Sequence, residues 1–228
     1  MGQPAWARVF LEVTMRLGLS VNQDYWYVIA LSSSSGSNSS GPTANLTDPN
    51  ITVGTNDQEF VQDWDYLIRV KPLNEEAVLQ ATIQEPGGPE VDFITGFNDV
   101  RVENGERDQD TITLSIDLDE LSNLNAVEED VQVSLITIKA PFRVDPEETN
   151  LAIDAVRGNV PNYYRLSLTN QRQVLVEDAQ RQETLRRSRE LITRDDIGNV
   201  TAADSIEGSA LGILAANILT FNLELVER

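Results

Sequence analysis

Between Ala5 and Leu19 every odd position is apolar (Ala5, Ala7, Val9, Leu11, Val13, Met15, Leu17, Leu19), while Arg8, Glu12, Thr14 and Arg16 stand at even ones. A period of two puts alternate side chains on opposite faces of an extended chain, so the stretch predicts one long half-buried β-strand. Such a strand needs a partner sheet for its apolar face and for its backbone donors and acceptors. The chain closes on a similar run. Leu211, Ile213, Ala215, Leu219, Phe221, Leu223 and Leu225 share one parity, broken at Asn217, and predict a second long strand.

Between these ends, Asp24 to Leu31 (DYWYVIAL) is apolar on both parities, which predicts a central strand covered on both sides and hence a sandwich. Residues 32–57, rich in Ser, Gly, Asn and Pro, predict a long irregular loop. Phe60, Trp64, Tyr66, Ile68 and Val70 then predict a core face, with Asp63, Asp65, Arg69 and Lys71 on a charged one. Ala77, Leu79, Ala81 and Ile83 are in phase, and Pro86-Gly87-Gly88-Pro89 predicts a reverse turn. The strand from Val91 is interrupted at Gly96 and resumes at Val100. Thr111 to Leu118 (TITLSIDL) alternates cleanly, whereas the run from Val131 changes phase between Leu135 and Ile136, which predicts a β-bulge.

Beyond Pro141 the texture changes. Asp145-Pro146-Glu147-Glu148 combines an N-cap acceptor, a first-turn proline and two acids, predicting a helix that closes near Gly158. Tyr164, Leu166 and Leu168 predict a short strand. Glu177 to Ile192 carries Glu/Arg pairs at helical spacing and predicts an exposed helix or a ribbon of low burial. The sum is a mainly β protein. We expect an antiparallel β-sandwich over residues 1–141, then a mixed C-terminal extension, 142–228, with one or two short helices. Its last strand joins the sandwich or a neighbouring subunit.

Composition narrows the chemistry. The 228 residues include no His and no Cys, which removes imidazole catalysis, thiol nucleophiles, disulfides and the usual zinc sites. Lys71 and Lys139 are the only lysines, and neither lies in a context that suggests Schiff-base or phosphate chemistry. The net charge of −20 argues against nucleic acid and against anionic membranes. Arg186, Arg187 and Arg189 form a basic cluster best read as a solvated face paired with nearby glutamates. No apolar run is long enough for a membrane-spanning helix, and no signal-peptide pattern is expected.

Tyr25, Trp26, Trp64 and Tyr66 are the candidates for stacking on sugar rings. Asn38, Asn45 and Asn50 head Asn-X-Ser/Thr triplets and are candidate glycosylation sites, with a fourth triplet at Asn199. No organic cofactor is expected. Calcium is the one candidate, at the hard oxygens of Asp195, Asp196 and Asn199, although the spacing is not that of an EF-hand. No catalytic residue is assigned. Asp63 with Asp65, Asp117 with Asp119, and Asp195 with Asp196 are the pairs a carboxylate glycosidase could use, but 37 acids generate such pairs by number alone.

The succession of DYWYVIAL, a Gly-Pro loop, a WDY strand and TITLSIDLDEL resembles β-sandwich modules of carbohydrate-binding type found in surface proteins, over about residues 5–141. That resemblance implies an extracellular, non-catalytic module. The expected function is a structural or adhesive role at a cell surface or outside the cell, with self-association into a homo-oligomer or polymer through the terminal strands. A carbohydrate-binding module, with a polysaccharide partner, is the alternative, and a carboxylate-based glycoside hydrolase is third.

Overall fold

The inward parity of the first run is buried as its period demands: Val9, Leu11, Val13, Met15 and Leu17 lie in strand β1 (Val9–Leu17), each at most 1% exposed. The computed structural model describes residues 7–18, 20–35, 38–44, 60–73, 78–103, 109–122, 124, 129–139, 152–156, 163–177 and 218–228. The protein is mainly β, built of antiparallel sheets.

In the first sheet, β1 is an internal strand. One neighbour is β14 (Ile218–Glu227) and the other β9 (Thr111–Asp117); among the described residues β13 (Gln173–Glu177) and β8 (Asp99–Glu103) form the edges. Beyond the strands, reciprocal bonds between Arg8 and Arg228 continue the ladder, Arg8 N–H donating to Arg228 O at 2.8 Å and Arg228 N–H to Arg8 O at 2.9 Å. The terminal strands therefore pair with each other inside the sheet rather than standing free at an edge.

The second sheet runs β11 (Ala152–Val156), β10 (Val131–Lys139), β2 (Tyr25–Ser33), β5 (Tyr66–Pro72), β6 (Leu79–Gln84) and β7 (Val91–Asp92), with β12 (Tyr164–Leu166) also on β10. Side chains from both sheets meet in one apolar cluster, including Leu11, Met15 and Leu223 from the first and Ile29, Ile68 and Val133 from the second. The second sheet also carries a cluster on its other face. Val28, Ala30, Leu67, Ile136 and Ile138 lie there with Ala44, Phe60, Val61 and Trp64, under a two-stranded ribbon of β3 (Thr43–Ala44) and β4 (Val61–Gln62). Burial on both faces explains why β2 shows no alternation.

It also corrects the bulge expected at Ile136. β10 pairs with β2 without a break from Val131↔Ser33 to Lys139↔Tyr25, and the apparent phase change is Ile136 and Ile138 filling the second face. The register shift lies in the pairing with β11, between Thr137 and Ile138. β11 itself replaces part of the helix expected from Asp145 to Gly158: an open edge beside β10 accepts Ala152 to Val156, and tertiary pairing overrides the capping signals. The second expected helix, from 178 on, lies outside the described residues. The one described helical element is a 3₁₀ turn, Leu118–Glu120. Strands from beyond residue 141 enter both sheets.

Two further readings change. Leu219 breaks parity, because the β1–β14 register steps from Arg16↔Thr220 to Leu17↔Ile218, and Ile218 is the buried residue. The supposed charged face of β5 is not exposed either: Asp65 is 5% and Arg69 1% exposed. Asp63, with φ of 58°, turns the chain just before the strand and sends Trp64 to the opposite face from Tyr66.

Candidate functional site

The outer face of the first sheet carries polar residues in rows fixed by register. Asp99, Ser115 and Glu12 are successive cross-strand partners on β8, β9 and β1; Arg101, Thr113 and Thr14 form the next row. All of these but Thr14, with Glu103, Phe97 and Arg228, line a cleft of about 340 Å³. Because most of these side chains stand on paired strands, their spacing is set by the sheet.

Phe97 is placed by a short loop between β7 and β8. Phe93 is fully buried and its N–H donates to Ala81 O at 3.0 Å. Asn98 bridges to the 3₁₀ turn: its Nδ2 donates to Glu120 Oε2 at 3.1 Å and its Oδ1 accepts from Asp117 N–H at 2.8 Å. Gly96 sits between them at φ +59°, where a Cβ would run into the Glu120 carboxylate. Tied at both ends, the loop leaves Phe97 58% exposed. Arg8 lies 4.4 Å from the ring centroid, and Phe10 meets the ring edge-on at 6.5 Å.

Two of the cleft's three acids are paired with arginines. Arg101 Nε donates to Asp99 Oδ2 at 2.6 Å, and Arg228 Nη2 to Glu12 Oε1 at 2.8 Å, an oxygen that also accepts from Ser115 Oγ at 2.8 Å. Thr113 Oγ1 is buried without a hydrogen-bond partner. Donors, acceptors and hydroxyls thus alternate beside an exposed aromatic ring, an arrangement suited to binding a hydroxyl-rich ligand.

No family model, curated protein or solved structure matches this chain.

The aromatics singled out from the sequence lie elsewhere. Tyr25 is 8%, Trp64 4% and Tyr66 2% exposed, so these rings offer no stacking surface. Trp26 is half-buried, with the Lys71 ammonium 4.4 Å from a ring centroid. Tyr25 and Tyr66 belong to the cluster between the sheets, Trp26 and Trp64 to the opposite face of the second sheet, so the four do not share a platform. Among the acids, Asp117 is buried against Arg8 at 2.5 Å, Asp119 Oδ2 accepts from Val9 N–H at 3.3 Å, and Asp65 Oδ2 accepts from Ser33 N–H at 3.1 Å. These contacts hold the fold. Asp195, Asp196, Asn199, Asn45 and Asn50 lie outside the described residues.

Asn38 is structural. Its Nδ2 donates to Trp64 O at 2.8 Å and to Asp65 Oδ1 at 2.7 Å, so both amide hydrogens serve the fold, and a glycan would displace one. We expect Asn38→Ala to lower stability by about 1–3 kcal/mol, since it deprives a buried carboxylate of a donor. Chemical denaturation at neutral pH checks this, and an unchanged midpoint would show that the contact contributes nothing. The residues that do line the cleft were missed because Asp99, Arg101 and Glu103 read only as the polar half of an alternation; their meeting with Glu12 and Arg228 depends on long-range register.

Proposed function

We propose that this is a non-catalytic β-sandwich protein with a structural or adhesive role at a cell surface or outside the cell, and that the outer face of its first sheet is the adhesive surface. The observation that supports this most directly is the strand-borne cleft beside Phe97, where Glu12 and Asp99 are each engaged by an arginine and an aromatic ring faces solvent. Acid pairs held in reserve for glycoside hydrolysis would look different: Asp63, Asp65, Asp117 and Asp119 do not line the cleft. The acidic, lysine-poor composition and the resemblance to surface sandwich modules favour the same reading. Because β1 and β14 are internal, self-association in this reading runs through the sheet edges at β8, β13, β11 or β7.

The full chain, immobilised on beads, should retain whole cells or extracellular material. Arg101→Glu should reduce that retention several-fold with an unchanged circular dichroism spectrum, because the substitution reverses one charge of an exposed pair. Retention that is absent, or indifferent to Arg101, would reject the assignment.

A further inference from the structure

We propose that the cleft beside Phe97 is a saccharide subsite for one or two uncharged sugar rings, with Phe97 as the stacking ring. The inference deepens the adhesive reading and rests on it for the identity of the ligand-bearing face.

Four observations converge. First, Phe97 is 58% exposed yet packed against Arg8 and Phe10, so it offers a restrained apolar surface in the cleft lining. The C–H face of a pyranose, weakly positive, is matched to the negative face of an aromatic ring.

Second, Arg101 with Asp99 and Arg228 with Glu12 each put a donor and an acceptor side by side. Neighbouring sugar hydroxyls, each able to donate and accept, can bridge such a pair without breaking it. An anionic ligand gains less. The arginines are already neutralised, so an anion meets no unpaired cation, in a chain of net charge −20. A cationic group would meet Glu103 in the cleft, but at the ring it competes with Arg8.

Third, Thr113 lines the cleft and its Oγ1 is buried without a hydrogen-bond partner, so a turn of the side chain toward the cleft would offer an unused hydroxyl to a ligand. Fourth, a volume of about 340 Å³ is at the small end of ligand sites, which run from about 300 to 1,000 Å³. That limits the ligand to a short stretch of glycan.

The test uses the full chain and calorimetric titration with neutral di- to tetrasaccharides of glucose, galactose and mannose, alongside uronic-acid oligosaccharides. We expect at least one neutral glycan to bind and the acidic ones not to. Phe97→Ala should weaken binding about tenfold while leaving the melting temperature in place, because the ring is mostly in solvent. Thr113→Val, which keeps the shape and removes the hydroxyl, should weaken it several-fold. Failure of every neutral glycan to bind, or binding unchanged in Phe97→Ala, would overturn the proposal. If bead retention still depends on Arg101 while no glycan binds, the saccharide assignment falls and the adhesive face stands; if glycans bind but nothing is retained, the adhesive reading is what fails.

Discussion

Replacing Arg69 with alanine should lower stability by about 3–5 kcal/mol, the range expected when a large buried side chain is cut away and a charge partner is left behind. Arg69 is 1% exposed on β5, between Val28 of β2 and Thr82 of β6. Its Nη1 lies 3.0 Å from Glu90 Oε1, while Glu90 Oε2 accepts from Thr82 Oγ1 at 3.1 Å and pairs with Lys71. The Glu90 side chain is 36% exposed, so its attraction to Arg69 is screened, and volume accounts for most of the expected loss. Arg69→Met should therefore recover much of it, to within about 1–2 kcal/mol of the parent. Burial pushes the Glu90 carboxyl up, but the Lys71 hydrogen bond and the charges of Arg69 and Lys71 outweigh it and hold the group below its usual range. A carboxyl depressed in the folded state stabilises above its unfolded pKa and loses that contribution as pH falls through the folded one. The parent should thus lose stability below the ordinary value of 4.5, and Arg69→Met should lose less over the same interval. Urea titrations at pH 7 and at pH 3.5 read both effects. An alanine variant within about 1 kcal/mol of the parent at pH 7 would refute the packing argument.

The strands whose alternation was legible are those with one face inward and one outward. β1 and β9 belong to the first sheet, whose outer face is polar, so Leu11, Val13, Ile112 and Leu114 alternate with Glu12, Thr14, Thr113 and Ser115. The second sheet is covered on both faces, and there periodicity misleads: Ile136 mimics a bulge, and Arg69 and Asp65 read as solvent-facing although both are buried. Residues 38–44 read as open loop because Asn, Ser and Gly dominate them. Yet Gly41, at φ +82°, lies directly against the Tyr163 ring, and Ser134 Oγ donates to Pro42 O at 2.5 Å. No local signal reports contacts made across about a hundred residues of chain. The cleft was illegible for the same reason: Phe97 belongs to a loop, Glu12 to β1, Arg228 follows β14, and only the register joins them.

Ending the chain at Asn217 should abolish cooperative folding. Removing β14 takes away Ile218, Phe221, Leu223 and Leu225, each at most 2% exposed, and uncovers Tyr164, whose ring centroid is 4.9 Å from that of Phe221. Burial of such side chains stabilises by roughly 1.5–3 kcal/mol apiece, so about 6–12 kcal/mol is at stake. That is comparable with the whole net stability of a domain, about 5–15 kcal/mol. The loss extends to the backbone, because all nine residues of β1 pair with β14. A truncated chain that melts as sharply as the full one, and near the same temperature, would show that β14 is dispensable. A synthetic peptide of residues 218–228 should restore the melt in trans, since β1 and β13 both lose their partner and present open ladders to it. The same experiment bears on self-association through the terminal strands. Exchange of β14 between two copies would reproduce every one of these contacts, but a strand tethered to its own sheet competes at a high effective concentration. Light scattering on the full chain should accordingly show no species held together by β14 exchange unless intrachain closure is first disrupted, for instance by Val13→Pro in β1 of one copy, which leaves its β14 for a truncated chain mixed with it.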